Sequence, residues 1–319
     1  MNYNPLTRAR LAMLLRTWGL LLALILIAVA MSIAHPAFLT VPNLINVARQ
    51  VSINGILAIG VTLVLLTGGV DLSLGSVVAL AGVVAALFAQ DAAASYGVII
   101  AVAAGIATGA GCGAVNGLVI TRGKVPPFIA TLGMMTAARG LALLVSNGRP
   151  VSNLDAGFTR LGADLGPLPI PVIVMALLAV LVAVVLNRFR LGRHILAVGG
   201  NPEAARAAGI RVGVIGMIVY SVCGALAGLA GVVLAARITT GQPNAGVGFE
   251  LDAIAAVVIG GTSLSGGVGR ISGTILGVLL VGVINNGLDL LNVSSYYQAI
   301  VKGVIIIGAV WLDRNRHRS

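Results

Sequence analysis

Long apolar runs separated by short polar breaks dominate the chain. Runs at 18–34, 51–67, 74–90, 97–120, 127–145, 170–187, 214–236, 252–264, 271–291 and 297–312 each read as a membrane crossing, since about 20 apolar residues cover the roughly 30 Å hydrocarbon core as a helix. The eighth run is short, and a tilted, re-entrant or shielded segment is expected there. Ten crossings place both termini on one side. The break at 188–213 is unlike the others, with Arg188, Arg190, Arg193, Arg206, Arg211 and Glu203 interrupting an otherwise oily sequence. Within it, Gly200-Asn201-Pro202-Glu203-Ala204-Ala205-Arg206 reads as a short helix with its start and stop marked. Asn201 suits the N-cap and Pro202 the first helical position, where a missing N–H costs nothing. Glu203 complements the positive end of the dipole, and Gly209 suits a left-handed stop. Such a helix is only about 10 Å long and unstable alone, so a partner is expected to grip it.

Composition agrees with the pattern. Of 319 residues, 58% are hydrophobic and 9% charged, with a mean hydropathy of +1.06; soluble domains carry about a quarter charged residues, so an all-α integral membrane protein is predicted. The net charge of +11 would suggest a nucleic-acid partner in a soluble chain. Here the cations sit in short loops: fourteen in segments assigned to the side of the termini, and only Arg49, Arg149, Arg160 and Arg237 opposite. That asymmetry is a topology signal, and it places both termini and the 188–213 loop in the cytoplasm. The division predicted is a tail at 1–17, one membrane domain at 18–312 and a tail at 313–319. Arg8, Arg10 and Arg16 before Trp18–Ala34 resemble a signal peptide, but no small-x-small cleavage site follows, so an uncleaved first span is expected. Cys112 and Cys223 lie inside apolar runs as packing residues. Gly- and Ala-rich stretches such as 103–110 and 224–228 predict close helix contact in lipid.

Ionisable and amide groups inside spans are the functional candidates. Arg139 and Lys302 are pathway candidates, each also within snorkelling reach of the interface. Asn285 and Asn286 suit either a hydroxyl-rich solute or interhelical hydrogen bonds. Asp71, after Gly68-Gly69, reads as a helix cap in a tight cytoplasmic turn or as a gating residue. Glu250 and Asp252 are placed at the outer mouth of the eighth span, capping it or meeting a partner's positive surface. The GGxxLS pattern occurs at 68–73 and at 260–265, from internal duplication or chance. Catalytic and metal-binding residues are not predicted: His35, His194 and His317 lack ligand spacing, and no GxxxxGK[ST] loop exists. All nine acidic residues lie in loops, tails or span ends, which argues against an ion-coupled transporter; charged rings or a filter loop, which a channel needs, are not evident.

Several blocks resemble the ribose-type permease subunits of ABC importers. They are Thr67-Gly68-Gly69-Val70-Asp71-Leu72-Ser73-Leu74-Gly75-Ser76, the stretch 128–135 with Arg139-Gly140, Leu191-Gly192-Arg193 with 197–201, and above all 249–264. The likeness continues through Gly269-Arg270, Asn285-Asn286-Gly287-Leu288 and 294–298, and is weakest at 146–170. The resemblance implies a bacterial inner-membrane permease of about ten helices with a cobalamin-importer-like (type II) fold. It also implies a second permease copy, a cytoplasmic ATPase that alone binds ATP and Mg, and a periplasmic binding protein that delivers a monosaccharide. Residues 200–206 would then be the coupling helix seated in the ATPase.

Overall fold

The computed structural model describes residues 5–90 and 97–316. Among them the architecture is helical apart from one two-residue hairpin, Asp164–Leu165 with Leu168–Pro169. The long helices are α1 (Pro5–Ala34), α2 (Val41–Leu66), α3 (Leu74–Phe88), α4 (Gly97–Thr121) and α5 (Pro127–Val145). After a short α6 (Ala156–Thr159) come α7 (Ile170–Arg188), α8 (Arg190–Gly200), α9 (Pro202–Ala207) and α10 (Val212–Ile238). The chain closes with α11 (Phe249–Ile259), α12 (Ile271–Leu290) and α13 (Ser295–Arg316). Six of these helices, α2, α4, α5, α7, α10 and α12, are long and apolar enough to cross a membrane, and Trp18–Ala34 and α3 are shorter apolar segments.

The expected tails are partly helical. α1 begins at Pro5 and α13 continues to Arg316, so each helix runs past the apolar stretch marked in the sequence. Residues 1–4 and 317–319 of those tails, with His317 and Arg318, lie outside the described residues.

Helix α2 is the axis of the bundle. In its most apolar 18-residue window 83% of residues are buried, against 17% in α5 and in α7, so α2 is surrounded by protein while α5 and α7 present apolar faces outward. α10, α12, α7 and α11 pack around it. Thr62 donates to Ala58 O at 2.7 Å and meets Thr274 Oγ1 at 2.7 Å, which ties α2 to α12 deep in the interior.

The most extensive contact joins α4 to α10. Glycines line it: Gly105, Gly109 and Gly113 face Gly224 and Gly228. A Cβ at Gly109 would lie 2.6 Å from Gly228 N, and one at Gly113 would meet the Tyr220 carbonyl. Backbone touches backbone here, so dispersion and Cα–H contacts hold the helices where lipid offers no hydrophobic drive.

The eighth apolar run is broken rather than merely short. α10 ends on left-handed Thr239 (φ 55°), and Gly241 exchanges backbone hydrogen bonds with Val151 at 2.8 and 2.9 Å. Gly241 packs against Gly82, Val83 and Ala86, whereas Gly246 packs against Gly75. Between them the chain therefore doubles back along α3 by eight helical positions, about 12 Å. α11 starts from that depth and adds 11 residues, about 16 Å more. The sequence places this helix at 252–264; it occupies 249–259 because Gly260 and left-handed Gly261 (φ 90°) stop it. Irregular backbone at this depth is tolerated because α3, α10 and the Arg139 side chain surround it.

Candidate functional site

The short helix α9 has the ends its sequence specifies. Asn201 Oδ1 accepts from Glu203 N at 2.9 Å and Ala204 N at 3.0 Å. Gly209, at φ 83°, closes the C-terminus with Ile210 N donating to Ala205 O at 3.0 Å. Ala205 is buried and anchors the helix, while Glu203, Ala204, Arg206 and Ala207 are exposed.

Preceding it is α8, a helix within the 188–213 stretch expected to be loop. Gly192, Ile195 and Val198 are buried, with Leu191 and His194 half-buried. Arg190 and Arg193 face outward, and the apolar positions 191, 195 and 198 follow helical spacing. That spacing was the available signal, masked by the arginines around it.

α8 bears directly on the interior loops. Gly199 packs on the Leu66 carbonyl at the end of α2 and on Gly267 N, and Gly267 N donates to Leu66 O at 3.0 Å. Gly68 lies against the Ser265 carbonyl and Gly266 against Gly68 N and Gly199 O. Three segments thus converge on one point: the end of α8, the α2–α3 loop and the α11–α12 loop. Backbone meets backbone at that point, with Gly199, Gly68, Gly266 and Gly267 leaving no side chain between the three segments.

The two converging loops are the two GGxxLS segments. Their helix stops are alike: Gly69 N donates to Val64 O and Thr262 N to Val257 O, both at 3.1 Å. The left-handed glycine is Gly68 (φ 77°) in one and Gly261 (φ 90°) in the other, one position out of register with the shared pattern. Downstream the pattern is in register. Ser73 N donates to Asp71 Oδ1 at 2.9 Å, and Ser265 N to Ser263 Oγ at 3.1 Å.

Asp71 is not a surface cap. It is 1% exposed, and its Oδ1 also accepts from Ser73 Oγ at 2.6 Å, whose oxygen takes a bond from Asn116 Nδ2 at 3.1 Å. Tyr220 OH donates to Val70 O at 3.3 Å. Asp71 therefore organises the loop internally and links it to α4, while Tyr220 links it to α10.

The remaining candidates are tied to neighbouring elements. Lys302 Nζ and Asn285 Nδ2 donate to the same oxygen of Asp252, at 2.9 and 3.3 Å, joining α13 and α12 to α11. Asn286 and Asn43 exchange amide bonds at 2.9 Å each. Arg139 donates to the carbonyls of Pro243 and Ala245, at 2.6 and 2.8 Å, and so clamps the re-entrant segment. The expectation that Asp252 faces a partner is corrected: it is 5% exposed because the broken run carries the start of α11 into the bundle. Glu250 is half-buried and lies beside Gly75 at the start of α3, so it too leaves the outer mouth.

Asp252→Ala is expected to destabilise the solubilised protein by about 2 kcal/mol, below the figure for a fully buried pair because the Lys302 side chain is 31% exposed. Adding Lys302→Met should recover most of that loss in a thermal melt. Equal melting of wild type and the Asp252→Ala variant would show that the pair contributes nothing.

At the end of the bundle opposite α9, Arg49 pairs with both oxygens of Asp164 in the hairpin, and Arg237 Nη2 donates to Asn46 at 2.9 Å. The 146–170 segment is thus folded onto α2 and α10.

Residues 43–310 match the family described as branched-chain amino acid transport system / permease component. The chain is similar to the ribose import permease protein of Escherichia coli, with 49% identity covering 93% of each chain. It is also similar to the ribose import permease protein of Bacillus subtilis, at 47% identity over 93% of this chain and 92% of that one. The L-arabinose transport system permease protein of Escherichia coli is 38% identical over 95% and 92%. No solved structure matches.

Proposed function

The chain belongs to the branched-chain amino acid transport system / permease component family, and from that premise we propose that it forms the translocation pathway of an ATP-driven importer of ribose. It is a permease component and not itself an enzyme. The observation that carries the substrate is the higher identity to the two ribose permeases than to the arabinose permease, over almost the whole chain. The sugar titles of these relatives, rather than the amino-acid wording of the family description, guide the choice.

In this reading a periplasmic binding protein releases sugar into the pathway, and a cytoplasmic ATPase, which holds ATP and Mg, grips α9. The fold is of the cobalamin-importer (type II) kind with ten crossings, and α3 and α11 are the incomplete ones. Both termini and α9 face the cytoplasm, a placement supported by the distribution of Arg and Lys. A second copy of the chain completes the pathway. Supporting that, α5 carries an exposed stripe of small residues, Gly133, Thr136, Ala137 and Gly140, with open space beside both glycines. ATP-driven closure of the ATPase pair would push α9, and α8 would carry the motion into the two glycine loops. Asp71, Arg139, Asn285, Asn286 and Lys302 serve in this scheme by positioning loops and helices around the pathway.

Reconstitution with the ATPase and binding protein in liposomes tests the proposal. ATP-dependent accumulation of ribose exceeding that of arabinose is expected, and the purified complex should have the mass of two permease copies. Uptake driven by an ion gradient without ATP, or a single copy in the active complex, would refute it.

A further inference from the structure

One cavity opens beside the elements described above. It encloses about 460 Å³ between α9, the end of α4 with the loop that follows, the start of α10, and Thr67–Gly69. Its lining includes two cations, Lys124 and Arg206, and no carboxylate. Among the described residues neither cation forms an ion pair. Two exposed cations lining one cavity that holds no carboxylate favour an anion there.

The backbone at Lys124 is unusual. Its φ of 54° is left-handed, and Val125 N closes the turn onto Val119 O at 3.3 Å. A non-glycine side chain in that region costs of order 1 kcal/mol, as at Thr239. Glycine, which precedes Lys124 at 123, would suit this turn better.

The rest of the lining has a second chemistry. Thr67, Thr121 and Tyr220 each line the cavity with a hydroxyl. Each hydroxyl hydrogen is already donated to a backbone carbonyl: Val64 at 2.7 Å, Gly117 at 2.6 Å and Val70 at 3.3 Å. What remains on all three is acceptor capacity, which suits the O–H donors of a polyol. We propose that this cavity binds a phosphomonoester carried on a hydroxylated molecule, and that binding there restrains transport. Lys124 and Arg206 hold the phosphate, and the three hydroxyl oxygens receive the polyol. A ligand so placed bridges α9 and the α2–α3 loop and opposes their relative motion. For a sugar importer, kinase-catalysed phosphorylation is the class of reaction that consumes the product, so its phosphate ester would report a sated cell. A phosphomonoester lipid headgroup offers the same chemistry from the bilayer. The inference rests on the cytoplasmic placement of α9 given above.

The test uses the permease–ATPase complex in nanodiscs of zwitterionic lipid, with ribose 5-phosphate as the probe and free ribose as control. Saturable binding of the phosphate alone is expected in calorimetry, with a fall in ATPase rate at saturation. Lys124→Gly, which suits the left-handed turn and so preserves folding, should weaken binding about tenfold or more. A parallel arm replaces the probe with phosphatidylinositol 4-phosphate, a phosphomonoester on a hydroxylated ring, in the disc. Retention of that lipid by the wild-type complex and not by Lys124→Gly, with no ribose 5-phosphate binding, would assign the phosphomonoester to the bilayer. Failure of both ligands to bind, or binding indifferent to Lys124→Gly, would overturn the proposal. If ATP-driven ribose uptake succeeds in the same preparation, that failure concerns the cavity alone; if uptake fails too, the transport reading falls first.

Discussion

Glu203→Lys combined with Arg206→Glu is expected to cut ATP-driven uptake by about thirtyfold or more, while insertion and melting temperature change little. Both side chains are exposed on α9, so their exchange disturbs no packing. Each charge also complements the helix dipole as it stands, Glu203 in the first turn and Arg206 in the last. Reversing them costs roughly 0.5 kcal/mol at each end. That is too little to unfold a helix held by the Asn201 cap and by buried Ala205. The larger effect must then arise in the grip of the partner. Copurification of the ATPase with the double variant, compared with wild type, reads it directly. Normal retention and normal coupled uptake would exclude α9 as the docking element.

Gly109→Leu is expected to cost about 3 kcal/mol or more of stability. Its Cβ would strike the backbone of Gly224 and Gly228, which no rotamer change can move. Gly111→Leu, two residues along the same helix, meets nothing within 4 Å and should be neutral. The contrast checks the assignment of the α4–α10 face with one assay, the fraction of protein that stays monodisperse in detergent after heating. Equal tolerance at both positions would show that the helices do not meet on the glycine seam.

Much of this organisation was legible in the sequence because it is written in local chemistry. The caps of α9 and the apolar runs need only neighbouring residues to be read. Helix α8 was missed because its alternation of arginine with Leu191, Ile195 and Val198 looks like a loop until counted at 3.6-residue spacing. The depth of Asp252 was missed for a different reason. An apolar helix buried on all sides has little amphipathic signal, so nothing in 249–259 tells where along α12 and α13 it will sit. Only the return of 241–246 along α3, a non-local contact between glycines, sets that depth. For the same reason Asn285 and Asn286 gave equal support to solute contact and to interhelical bonds until their partners Asp252 and Asn43 were placed beside them, and Lys302, read as a pathway or snorkelling residue, pairs with Asp252. The repeated GGxxLS pattern shows the converse: its two copies meet in space, yet their left-handed glycines differ by one position, which residue matching alone cannot detect.

The half-length of α11 also bears on how the chain is made. Eleven residues headed by Glu250 and Asp252 are too short to partition from the insertion channel into lipid unaided. The segment before them exposes backbone groups that lipid cannot satisfy. The place of α11 therefore depends on α3 and α10, both of which precede it in the chain, so its packing surfaces are synthesised before it is.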